Sequence, residues 1–171
     1  MRRRLHQILS ICVLVSCLPF CAMAQQGKEQ PKGTFTYDGL TYEFWGEGNT
    51  SWLRVQVDAT TQYFWRIERD GGEWAVKLTE ETIRTGSRTQ INTWDDDVSP
   101  RQFIVTVLDP VQGNWTLTMY QWPNGIWSAL FPNGDPGPPK DDKTQNPAPW
   151  WEAPGERPEP PMEAYLHAIM Q

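Results

Sequence analysis

The side chains in this sequence best suited to chemistry are aromatic rings set beside polar groups. Ten Trp, five Tyr and six Phe occur in 171 residues. Trp45 and Trp52 flank a turn signal, Gly46-Glu47-Gly48-Asn49. A hairpin that pairs these two Trp also pairs Glu43 with Arg54 and Thr41 with Gln56 on the same face. Its other face then pairs Phe44 with Leu53, Tyr42 with Val55 and Leu40 with Val57. A one-residue slip mixes the faces, so this register is the expected one. Asn124-Gly125 accepts positive φ at both positions and predicts a second hairpin. That register sets Trp122 opposite Trp127, Tyr120 opposite Ala129 and Thr118 opposite Phe131. Trp45, Trp52, Arg54, Tyr120, Trp122 and Trp127 are therefore expected to point outward as ligand-binding residues. Flat rings stack on the C–H faces of sugars, and neighbouring polar groups hydrogen-bond hydroxyls. The same residue types dominate protein–protein hot spots.

Other chemistry finds less support. No G-x-S-x-G, P-loop or H-E-x-x-H pattern occurs. His167 lies beside an apolar stripe near the C-terminus, where a surface or capping role is expected. Asp95-Asp96-Asp97 with Asn92 offers oxygens for Ca²⁺, but the spacing is not that of an EF-hand. A solvated acidic loop is the expectation there. Glu43, Asp58, Glu68 and Glu73 are available for carboxylate-pair hydrolysis, yet nothing selects two of them. Asn49-Thr50-Ser51 and Asn114-Trp115-Thr116 match the N-glycosylation pattern, which matters only in a eukaryotic secretory route. No catalytic residue, cofactor or metal is assigned.

Short antiparallel strands must position the aromatics. Apolar alternation and turn signals place strands near 34–38, 40–45, 52–58, 62–69, 73–79, 82–90, 102–109, 114–122 and 126–131. The hairpin at Asp70-Gly71-Gly72 should gather Tyr63, Trp65, Ile67, Trp74, Val76 and Leu78 into core. Short loops imply a meander. The fold expected is all-β, a small up-and-down barrel or a strongly curved sheet over 34–131. Closure is favoured because it removes the edges.

The flanking segments differ in kind. Arg2-Arg3-Arg4, an apolar run from Ile8 to Phe20 and Ala22-Met23-Ala24 read as a signal peptide over 1–24, with Gln25 as new N-terminus. Leu14-Val15-Ser16-Cys17 offers a lipid-anchor alternative, but apolar Leu18-Pro19-Phe20-Cys21 follows where a polar tether is usual. Cleavage after Ala24 removes all three Cys, leaving no thiol or disulfide. It also removes three Arg, leaving 12 basic against 21 acidic residues, so the formal charge moves from −6 to −9. Such a chain disfavours nucleic acid and anionic membrane surfaces. Residues 25–33 read as a flexible lead. Residues 132–161 hold ten of the fifteen Pro and should be extended. Within 162–171, Met162, Tyr165, Leu166, Ile169 and Met170 form one apolar helix face.

The expected function is that of an exported, bacterial, periplasmic or extracellular binding module without catalysis, engaging a glycan or an envelope protein. One alternative is a lipocalin-like carrier with an apolar ligand inside the barrel. Another is an envelope assembly subunit using the Pro-rich tail and terminal helix.

Overall fold

A computed structural model describes residues 30–121, 125, 127–128 and 155–171. The expected signal peptide, the lead up to residue 29, Trp122, and the Pro-rich stretch up to residue 154 lie outside the described residues. The elements are β1 (Gly33–Tyr37), β2 (Leu40–Glu47), β3 (Thr50–Gln56), β4 (Thr61–Asp70), β5 (Glu73–Thr85), β6 (Arg88–Asp95), β7 (Arg101–Leu108), β8 (Trp115–Gln121), β9 (Trp127–Ser128) and a helix, α1 (Met162–Ile169). Among the described residues no helix is long and apolar enough to cross a membrane.

The strands form one antiparallel meander in the order β1 to β9. β1 and β9 do not pair with each other, so the sheet is open, and the closed barrel is corrected to an open sheet. Chain order leaves two edges, and β9, only two residues long, offers little ladder with which to close.

One strand boundary also moves. The stretches expected at 73–79 and 82–90 are not separate strands; Glu73–Thr85 runs continuously. Thr79-Glu80-Glu81-Thr82 contains no residue that favours a turn. The reversal falls instead at Gly86, whose φ of 61° suits glycine, and Thr85 pairs with Arg88 around it. β6 then extends to Asp95, into the stretch expected to be loop.

A bulge between Arg66 and Ile67 in the β4–β5 ladder changes the faces again. Ile67 still pairs with Val76, but Trp65 meets Thr79 and Arg66 meets Leu78. One extra residue on β5 at Lys77 shifts the alternation. Leu78 is buried as expected, but it leaves the face of Trp65 and Ile67, and Thr79 takes its place.

Packing divides the sheet into a core face and an opposite face. On the core face, Tyr42, Leu53, Val55, Trp65 and Ile67 surround Tyr165 of α1. The Tyr165 ring lies 6.0 Å from Phe44 and 6.4 Å from Phe35. Further along the same face, Trp94, Phe103 and Met119 form a second cluster, joined by Val105, Leu117 and Trp127. The helix carries the expected stripe only in part. Tyr165 is buried and Met162 and Leu166 pack on the first cluster, but Met170 is 78% exposed. The residues before α1 are fastened separately. The Trp65 indole Nε1 donates to the Pro158 carbonyl at 2.9 Å, and Arg157 pairs with Asp96 and Glu159.

Candidate functional site

The β2–β3 hairpin has the register expected from its faces: Tyr42 pairs with Val55, Glu43 with Arg54, Phe44 with Leu53 and Trp45 with Trp52. The outermost expected pairs differ, because Leu40 pairs with Tyr37 of β1 and β3 ends at Gln56. Strand alternation sends Tyr42, Phe44, Leu53 and Val55 into the first core cluster. Glu43, Trp45, Trp52 and Arg54 consequently share the opposite face, and all four are half-buried.

Trp52 is the centre of this group. Trp45 lies across from it on β2 and Arg66 across from it on β4. Arg54 is two residues along its own strand, hence on the same face. Both arginines are held by carboxylates. Arg54 donates from Nε at 2.9 Å and from Nη2 at 2.6 Å to Glu43 Oε2. Arg66 Nη2 donates to Asp97 Oδ2 at 2.7 Å, and its Nε lies 3.4 Å from Glu68 Oε1. The Arg54 guanidinium also sits 4.9 Å from the centroid of the Trp45 ring, a cation–π contact. One face of Trp45 is thereby engaged. Among the described residues Trp52 has no such ring or cation contact, which makes it the ring of the pair better placed to receive a flat ligand.

The other expected site residues do not join this group. Tyr120 shares the face through the row Trp52, Arg66, Leu78, Asp95, Gln102, Tyr120. Five strand spacings separate it from Trp52, about 24 Å along the sheet at roughly 4.8 Å each. Trp127 is a correction. β9 pairs Tyr120 with Ser128 and Gln121 with Trp127, one residue out of the expected register. Trp127 therefore turns to the core face, 6.4 Å from the Phe103 ring. A two-residue turn at Asn124-Gly125 asks residue 123 for a ladder N–H, and Pro123 has none. Trp122 lies outside the described residues.

The carboxylates of the acidic run are held by other partners. Asp95 Oδ1 accepts the Asp97 backbone N–H at 3.0 Å, Asp96 binds Arg101 and Arg157, and Asp97 binds Arg66. The carboxylates expected to be solvated are committed to different partners, and no metal-ligating cluster forms among the described residues.

Sequence reasoning passed over Arg66 and Glu80. Arg66 sits between two buried residues, Trp65 and Ile67, and alternation alone puts it on the site face. Only the β3–β4 pairing places it beside Trp52. Glu80 is on the same face, between Phe64 and Thr93. Burial raises its pKa above the ordinary carboxylate value.

Two turns at the far end of the strands are fixed by aspartates. Asp58 accepts from the Thr60 hydroxyl and from the backbone N–H groups of Thr60 and Thr61, and these bonds lower its pKa. Asp109 is lowered likewise by the N–H groups of Gln112 and Val111.

No family model matches this chain, and neither does any curated protein or solved structure.

Proposed function

We propose that this protein is an exported, non-catalytic binding module that engages a glycan at Trp52. The observation carrying this reading is the frame around that ring: an indole with no ring or cation partner among the described residues, flanked by two arginine–carboxylate pairs on a strand paired on both sides. The indole supplies an apolar platform for sugar C–H groups. The guanidinium N–H groups left over from the ion pairs donate to hydroxyls, and the second carboxylate oxygens accept from them. Trp45 supports the frame by holding Arg54 rather than by presenting its own free face.

The carrier alternative loses its premise in an open sheet. The interaction-arm alternative is disfavoured by Tyr165, which is fully buried within the first core cluster. A helix that supplies core residues acts first as a cover.

Titrating tryptophan fluorescence against a panel of oligosaccharides and peptidoglycan fragments tests the reading. Binding that is weakened at least tenfold in Trp52→Ala, with the fold intact by circular dichroism, is the expected result. No change with any member of the panel overturns it. The export half of the proposal predicts a mature chain beginning at Gln25, measurable by intact mass after expression with the leader. A lipidated Cys17 in its place would refute that cleavage site.

A further inference from the structure

Resting on the glycan reading of Trp52, we infer that the site selects uncharged glycans and turns away acidic ones. Sites that read carboxylate or phosphate do so with guanidinium groups free to fork onto the anion. Here both guanidinium groups of the frame are already occupied, Arg54 by Glu43 and Arg66 by Asp97 and Glu68. An anionic sugar reaching either one would meet a guanidinium whose charge is already matched by a carboxylate at 2.6 or 2.7 Å, and would bring a second negative charge beside that carboxylate.

The remaining charges point the same way. Lys32, next to β1, donates its ammonium to the Gly46 carbonyl on β2. Glu47 follows two residues after Trp45 and is exposed. Around the two Trp, Lys32, Arg54 and Arg66 thus meet Glu43, Glu47, Glu68 and Asp97, an excess of one carboxylate. Beyond Trp52 the same face also carries Leu78, Glu80 and Asp95, and between them Gln62, Thr82, Thr93, Gln102 and Thr118. The Gln and Thr side chains hydrogen-bond without charge and suit hydroxyls and N-acetyl groups along a chain.

The test compares neutral hexaoses of glucose, xylose, mannose and N-acetylglucosamine with hexagalacturonate by calorimetry at low salt, where charge effects are largest. At least one neutral hexaose should bind ten times or more tighter than hexagalacturonate. Glu43→Gln, which releases Arg54, should narrow that ratio severalfold; an unchanged ratio would overturn the role of the Arg54–Glu43 pair in the selectivity. Hexagalacturonate binding as tightly as the best neutral hexaose overturns the selectivity and leaves the glycan site standing. Failure of every hexaose to bind overturns both.

Discussion

Glu80 is the residue whose ionisation bears most directly on stability. It lies between Phe64 and Thr93 in the sheet, and burial raises its pKa above the unfolded value of about 4.5. Below that value both states are protonated and nothing is lost. As pH rises through the higher folded pKa, the native protein must ionise a desolvated carboxyl, and stability falls. Glu80→Gln should therefore be more stable than the parent at pH 7, with the gain shrinking towards pH 4.5. Urea midpoints at the two pH values measure this; an equal gain at both would refute it. Asp58 and Asp109 act in the opposite sense. Their lowered pKa values give stability that is present above the unfolded carboxylate range and lost as pH falls through the folded values. A second residue-scale constraint is Gly33. A Cβ there would lie 2.5 Å from Cζ of Phe44, whose ring packs on the first core cluster. Gly33→Ala should lower stability by about 1–3 kcal/mol through overpacking, read from chemical denaturation.

At the scale of elements, the decisive contact is between α1 and the sheet. A helix of eight residues is too short to hold itself in water. It persists because Tyr165 fills the space between Phe35, Phe44 and the aliphatic residues of β3 and β4. Burial of that ring pushes the Tyr165 pKa up, against a smaller lowering by Ser51. Tyr165→Ala should cost about 3–5 kcal/mol, the range for removing a large buried side chain. A urea midpoint close to the parent's would show that the helix is an ornament. The β4–β5 bulge is the other element-scale device. It sends Leu78 to the site face and seats Thr79 opposite Trp65, so the two long central strands do not present one continuous apolar row.

Across the whole molecule, one open sheet has two jobs on its two faces. The core face is divided into a cluster under α1 and a cluster around Trp94 and Phe103. The opposite face keeps arginine–carboxylate pairs around Trp52 and, beyond it, neutral polar groups interspersed with Leu78, Glu80 and Asp95. The glycan site proposed at Trp52 and the packing around Tyr165 lie on different faces, so mutations at the two positions should separate binding from stability.

The β2–β3 hairpin was legible in advance because strand alternation has a period of two and each alternative register mixes charged with apolar residues. The turn at Asp70-Gly71-Gly72 and the apolar stripe of α1 were legible for similar local reasons. Trp127 was misread because Asn124-Gly125 is a strong turn signal whose use depends on the ladder bonds that Pro123 cannot make. Leu78 was misread because a bulge is a property of two strands in register and leaves no mark on one of them. The sequence by itself determined an antiparallel meander and the pairing of Trp45 with Trp52, since both follow from patterns a few residues long. Only the tertiary structure decided that the sheet stays open, that Arg66 joins Trp52 and that Tyr165 completes the core, because each depends on contacts between segments far apart in the chain.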